Sequence, residues 1–375
     1  MRSLLTIVGS FAVTIVCWGM YGPVLLWGQA AMADAPGDLG RLRPFVCVGL
    51  AYFAIGVLVP AVLLKLKGEQ GEWTVSGIIY SFAGGALGAL GALGILLAFY
   101  FGGKPVFVMP LVFGGAPVVN SLITISLLKR IRDIGPLFLA GLMMVLLGAV
   151  IVLVFAPHAP ADDTEAPVEQ ESQAVAEGEE QAAEPPQQPT KPAGGLFSRF
   201  LLQIVSILCA IGCWGAYGPV LHRGQEAMKQ SRLRPLLCVG LAYFVIAVLV
   251  PNLLLTVLPE ASHYSFSGTL WSFAAGAAGA IGALGIIMAF HFGGRPVYVM
   301  PLVFGGAPVV NTLLTTSVGG LWSEVNAFFL AGLILVIAGG AIVLVFAPKS
   351  PPTPSAQEPA ASPPPDENSP PIASS

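Results

Sequence analysis

In this chain of 375 residues, the residues whose type and spacing could do chemistry centre on two asparagines, Asn120 and Asn311. Each follows a Gly-Gly-Ala-Pro run inside an apolar stretch, PVFVMPLVFGGAPVVNS from Pro105 to Ser121 and PVYVMPLVFGGAPVVNT from Pro296 to Thr312. Proline lacks a backbone donor and so frees a carbonyl one turn earlier. Gly114, Gly115 and Pro117, matched by Gly305, Gly306 and Pro308, are therefore expected to break their helices at mid-span and to line a site. Such breaks are tolerated in hydrocarbon only against protein or a water-filled cavity, and in inverted-repeat transporters they mark the substrate. A proline kink filled by neighbouring side chains is the alternative. The carboxamides bring two donors and an acceptor each, either for a shared polar ligand or for holding helices together. Trp18, Tyr21 and Pro23 recur as Trp214, Tyr217 and Pro219, with Gln29 and Gln225 beyond them. These rings would wall a pocket or anchor their helices at the membrane interface.

Other reactive types are sparse. His291 is the one histidine inside an apolar block and is a candidate for proton coupling, although no intramembrane carboxylate accompanies it. Cys17, Cys47, Cys209, Cys213 and Cys238 all fall within apolar blocks and read as small packing residues, with no disulfide framework or metal cluster. Ser81 and Ser272 recur and are expected to bond back to their own helices. No nucleophile, metal or phosphate-loop motif appears, so neither a catalytic site nor a cofactor is expected.

The elements that must position these residues are membrane spans. Hydrophobic residues make up 55% of the chain and charged residues 10%, and mean hydropathy is +0.80. Ten apolar blocks, 3–26, 44–64, 75–101, 105–128, 136–156, 200–221, 235–258, 266–292, 296–318 and 327–347, contain no internal Asp, Glu, Lys or Arg. Each is long enough to cross about 30 Å of hydrocarbon as helix. The third block reads GGALGALGALG from Gly84 and its partner AGAAGAIGALG from Ala275, surfaces that let two neighbouring backbones approach closely. Nine acids between Asp162 and Glu184 lie in a Pro-, Ala- and Gln-rich stretch. That composition cannot offset ordering entropy, so 158–198 reads as a disordered linker and the Pro/Ser-rich 349–375 as a disordered tail.

The blocks form two copies. Cys17–Met32 returns as Cys213–Met228, and Arg41–Pro157 aligns without a gap to Arg232–Pro348. A membrane repeat over 1–157 and a second over 199–348 follow. Five spans per copy force the second copy to enter the bilayer from the opposite side. Twelve Lys and Arg fall on the side of the N-terminus and five on the other, which places both termini in the cytoplasm of an inner-membrane protein and the linker outside. Where the copies differ, Lys65 and Lys67 give way to Thr256 and Leu258, as inversion requires. Arg41 and Arg43 conflict with the rule, being external yet retained as Arg232 and Arg234.

This pattern of ten spans in two inverted five-helix repeats resembles the drug/metabolite transporter superfamily of EamA type. The Cys17-Trp18-Gly19 run with Pro23, repeated from Cys213, is similar to the first helix of its sugar and ureide permeases. The resemblance implies an all-α integral membrane fold with a central cavity lined by the first four helices of each copy. Trp18, Tyr21, Asn120, Trp214, Tyr217 and Asn311 lie on the corresponding helices, and the fifth helices would be peripheral. The first helices carry no acid and the cavity helices no base, which disfavours cationic and phosphorylated substrates. A permease moving a small neutral polar metabolite by alternating access is the expectation. A non-transporting scaffold recruiting partners through its linker and tail is the alternative. The expected partners are the lipid bilayer and a small molecule, without nucleic acid, and a homo-oligomer is compatible with the sequence.

Overall fold

The structure, a computed structural model, describes residues 2–35, 39–103, 105–128, 135–157, 196–257 and 260–346. The acidic linker, except for its last three residues, and the C-terminal tail lie outside the described residues, as do Lys104, Lys129, Arg130, Arg132, Lys191 and Lys349. All regular elements described are helical: α1 (Arg2–Met32), α2 (Leu42–Phe53), α3 (Val59–Leu66), α4 (Val75–Tyr100), α5 (Pro105–Leu128), α6 (Pro136–Val154), α7 (Leu196–Ala227), α8 (Leu233–Phe244), α9 (Val250–Val257), α10 (Phe266–His291), α11 (Pro296–Val318) and α12 (Ala327–Phe346). The helix α7 reaches back to Leu196, three residues into the stretch read as linker. Among the described residues, 9 helical segments are long and apolar enough to cross a membrane, and α5 carries a shorter apolar stretch, Val108–Thr124. The chain is an all-α membrane protein.

Two local features differ from expectation. Both α5 and α11 run uninterrupted through Pro117 and Pro308, so the Gly-Gly-Ala-Pro runs do not break their helices. Glycine and alanine before the proline leave room for the ring, and neighbouring side chains fill the groove: Ile211 lies against Gly115, and Ile15 against Gly306. The regular hydrogen-bond pattern is disturbed elsewhere. A π-helical turn, Ala54–Leu58, joins α2 to α3, and another, Val245–Leu249, joins α8 to α9. Each precedes a proline, Pro60 and Pro251, whose missing N–H is accommodated by widening the turn; Val59 N–H donates to Ala54 O, five residues back.

Helices of the two sequence copies interleave. The largest interfaces are α1 with α10 and α4 with α7, which are counterparts under the sequence repeat, followed by α6 with α12. The helix pair α2–α3 packs on α10, and α8–α9 on α4; α11 packs on α1, and α5 on α7. Two bundles result, one of α1, α2–α3, α10 and α11, the other of α7, α8–α9, α4 and α5. Glycines set these distances. A Cβ at Gly85 would lie 2.6 Å from Val239 Cα, and one at Gly276 would lie 2.6 Å from Val48 Cα. The glycine-rich α4 thus packs between α7 and α8, as its composition suggested. Turns after α4 and α10 are closed by Gly102 at φ 98° and Gly293 at φ 97°, conformations that L side chains rarely adopt.

The bundles meet on a seam. Tyr52 and Tyr243 stack with ring centroids 3.6 Å apart and planes 1° from parallel, and Phe53 meets Phe244 at 4.8 Å. Beside them Gly56 and Gly240 bring the backbones together: a Cβ on Gly56 would stand 3.0 Å from Gly240 Cα.

Candidate functional site

Trp18 lies near the middle of α1 and Trp214 near the middle of α7, which removes interfacial anchoring as their role. Each indole settles against a glycine groove of the other sequence copy. Trp18 Nε1 donates to Gly279 O at 3.2 Å and Trp214 Nε1 to Gly88 O at 3.1 Å. A Cβ on Gly282 or Gly91 would collide with the respective indole. With their polar edges satisfied, the ring faces are left for the seam. Trp18 stands 6.0 Å from Tyr217 and 6.4 Å from Phe304, Trp214 is 5.8 Å from Phe113 and 6.1 Å from Phe304, and Phe113 and Phe304 are 6.2 Å apart. Pro117 and Pro308 remove the helix donors for the carbonyls of Phe113 and Phe304, so the expected free carbonyls belong to two rings of this cluster. Trp18, Tyr21, Trp214 and Phe113 are half-buried, whereas Tyr217 and Phe304 are buried.

The two asparagines do not share one site. Asn120 is fully buried, and its Nδ2 donates to Pro296 O, at the first residue of α11, at 3.0 Å. Asn311 is half-buried against Gly22 of α1. From Pro296 to Asn311 the helix advances about 22 Å at its usual rise. The pair therefore occupies opposite ends of the seam, too far apart for one small ligand. Asn120 is the sixteenth of the 24 residues of α5 and Asn311 the sixteenth of the 23 residues of α11, which runs the other way, so each lies past the middle of its helix toward a different end of the seam. Between them lie the tryptophans.

Other candidates are also relocated. His291 ends α10, and its Nδ1 pairs with Gln230 O at 2.8 Å, away from the aromatic cluster. Gln225 is fully buried and its Nε2 donates to Ile287 O at 2.9 Å. Ser81 and Ser272 do not bond back to their helices; their hydroxyls lie against Gly224 and Gly28 across helix interfaces without a partner. Cys47 and Cys238 are buried as packing residues, but Cys209 is exposed on the face of α7.

Sequence reasoning missed two glutamates. Glu69 precedes α4 and sits at the start of α8, where its carboxylate accepts from Ser231 Oγ (2.6 Å), Arg232 N (2.8 Å), Arg232 Nε (2.9 Å) and Leu233 N (3.2 Å). Arg234 closes the group at 3.6 Å. Glu260, its repeat counterpart, precedes α10 and accepts from Leu42 N at the start of α2 at 3.0 Å and from Ser262 Oγ of its own loop at 2.9 Å, with Arg43 at 3.8 Å. Each carboxylate satisfies orphan amides at a helix N-terminus, where negative charge is favoured. Burial pushes the Glu69 carboxyl upward, but hydrogen bonds from Ser231 and Arg232 and from the Leu233 amide outweigh it and hold it below the usual glutamate value. The signal was present: an identical acid recurs at the repeat interval, as do the two arginines it meets. The pairing of Arg43 with Glu260 also accounts for the retention of Arg43 against the charge rule.

No family model matches the sequence, and no curated protein matches it. Among solved structures, the chain is similar to a protein of known crystal structure with a TM-score of 0.60 over 92% of this chain and 99% of that chain, at 14% identity. That likeness extends over almost all of both chains and concerns the fold alone.

Proposed function

We propose that the protein is a multi-pass permease of the inner membrane that moves a small, neutral polar metabolite between its two bundles. In this reading ten helices span the bilayer as two inverted five-helix repeats, with both termini cytoplasmic. Inversion is supported by the glutamate contacts. In each case the loop after the second span of one copy meets the loop before the second span of the other, and those loops share a membrane side only if the copies are inverted. The relation to EamA-type transporters rests on this architecture and on the repeated Cys-Trp-Gly runs.

The observation that carries transport is the aromatic cluster at mid-span, half-buried at Trp18, Trp214 and Phe113, between two bundles that are each tied internally. Trp18, Trp214, Phe113, Phe304 and Tyr217 offer ring faces and no charge, so a solute without a net charge is accommodated without a buried countercharge. Purified protein in liposomes, supplied with a broad library of labelled metabolites, should accumulate or release a neutral solute, and Trp18→Ala should reduce the rate about two- to tenfold as a ring contact of about 0.5–1.5 kcal/mol is lost in the crossing state. Folded Trp18→Ala protein that transports at the original rate, or a library in which no solute crosses, would reject the reading.

A further inference from the structure

Counterpart residues of the two copies have unequal surroundings, and the inequality follows one direction. At the end of the seam where α11 begins, Asn120 is fully buried and bonded to Pro296 O, Gln225 is fully buried and bonded to Ile287 O, and Tyr217 is buried. Their counterparts at the opposite end, Asn311, Gln29 and Tyr21, are each half-buried. The side chains of Asn311 and Gln29 make no hydrogen bond with a described residue. The packing agrees. A Cβ on Gly218 would collide with Met300, whereas one on the counterpart Gly22 would meet only Asn311, with Met109, the counterpart of Met300, not within 4 Å.

Every one of the closed contacts joins the two bundles. Asn120 on α5 reaches α11, Gln225 on α7 reaches α10, and Met300 on α11 fills the space at α7. The contacts of Glu69 and Glu260, by comparison, stay within one bundle. One class of contact can therefore exchange while the other persists.

We infer that the Asn120–Pro296 and Gln225–Ile287 hydrogen bonds are a latch that closes one end of the seam, and that the opposite end has a matching latch, open in this structure. The repeat identifies its bonds: Asn311 Nδ2 to Pro105 O, and Gln29 Nε2 to Leu96 O. Closing the second latch while releasing the first exchanges the access of the aromatic cluster from one membrane face to the other. With the N-terminus cytoplasmic, the closed end is the cytoplasmic one and the structure is outward-facing. This inference rests on the alternating-access reading proposed above and specifies which side chains gate it.

The test measures conformation without a substrate, so its failure is separable from failure of transport. Spin-label amino acids are incorporated in the full-length chain in liposomes at Ser126 and Phe292, near the closed end, and in a second sample at the counterpart positions Ser317 and Phe101. Pulsed dipolar distances give the populations of the two arrangements. An interhelical hydrogen bond in a membrane changes such a ratio about threefold. Asn120→Leu should shift populations about that much toward opening between Ser126 and Phe292 with closing between Ser317 and Phe101, and Asn311→Leu should shift them the opposite way. The double variant should return near the original ratio. Should the leucine at the buried position prevent folding, Asn120→Ala with Gln225→Leu replaces it. Shifts of the same sign in both single variants, or unchanged distances in folded variants, would overturn the latch whether or not a transported solute is found. Opposite shifts in a protein that transports nothing would leave the latch standing and reject the permease reading.

Discussion

Replacing Glu69 by glutamine keeps the volume and removes the charge, and the structure indicates how much this should destabilise the protein. The side chain is 4% exposed and that of Arg234 is 12% exposed. Its carboxylate accepts from the Ser231 hydroxyl, from the Arg232 amide and guanidinium, and from the Leu233 amide. A carboxamide turns one acceptor oxygen into a donor, so about half of these donors face an NH2 group and lose their partner inside the protein. Leaving a buried donor unsatisfied costs about 1–3 kcal/mol, and removing one partner of a buried ion pair costs about 3–5 kcal/mol. Glu69→Gln should therefore lower stability by about 2–3 kcal/mol and Glu69→Ala by more. Glu260→Gln should lower it less, because Glu260 and Arg43 are 13% and 24% exposed. Equilibrium unfolding in mixed detergent micelles with increasing SDS, followed by circular dichroism, measures each difference. The pH dependence has a fixed sign. The folded-state pKa of Glu69 lies below that of the unfolded chain, so its stabilisation is complete above the ordinary glutamate value and is lost as pH falls through the folded one. The native protein should weaken on acidification below that range, and Glu69→Gln should flatten the slope. A glutamine variant as stable as the native chain at neutral pH would refute the assigned role.

Orientation is testable on described loops: Gln70→Cys should be shielded from an impermeant thiol reagent added outside intact cells and His263→Cys should react with it, in a background without the native cysteines. Trp18→Phe, which keeps a ring but loses the 3.2 Å bond to Gly279 O, should lose about 0.6 kcal/mol of stability while retaining more transport than Trp18→Ala in the liposome assay. His291→Tyr, which puts at the end of α10 the residue that the first copy carries at Tyr100, removes the bond to Gln230 O. It should shift the spin-label populations about threefold toward the arrangement closed at the Asn311 end.

The span positions, the duplication and the close packing of the glycine-rich helices were legible because each is a periodic or compositional signal written in adjacent residues. The sequence left the tryptophans open between a pocket wall and an interfacial anchor, and it did not give their hydrogen bonds, since Gly279 and Gly88 are recognisable as acceptors only once α1 and α7 lie against them. The Gly-Gly-Ala-Pro runs misled for a physical reason. Small residues before a proline reduce the steric conflict that would break the helix, and Ile211 and Ile15 then occupy the space. The π-helical turns were not anticipated, although Pro60 and Pro251 are their sequence mark. Relations between the copies were the least legible. The distance from Asn120 to Asn311 depends on the direction of two helices and on which end of each carries the asparagine, and the glutamate contacts join residues such as Glu69 and Arg232 across 163 positions.

The division of contacts explains why certain residues are the same in both copies although their surroundings differ. A bond made in only one arrangement biases the protein toward it. If Asn120 and Gln225 closed one end and the other end carried apolar residues, two interhelical bonds of about 0.6 kcal/mol each would favour that arrangement by close to tenfold. Placing Asn311 and Gln29 at the other end compensates, since each arrangement then forms one asparagine and one glutamine bond, and the two remain nearly equal in free energy. His291 departs from this balance because its counterpart is Tyr100, and its bond to Gln230 joins the bundles at the end already closed. The residual preference of about threefold is small enough for a solute to reverse by binding one arrangement more tightly. Meanwhile Glu69 and Glu260 hold each bundle together in both arrangements, so their strength adds stability without favouring either. Strong, buried charge pairs within the bundles and weak, neutral bonds between them are thus the arrangement that a reversible gate requires.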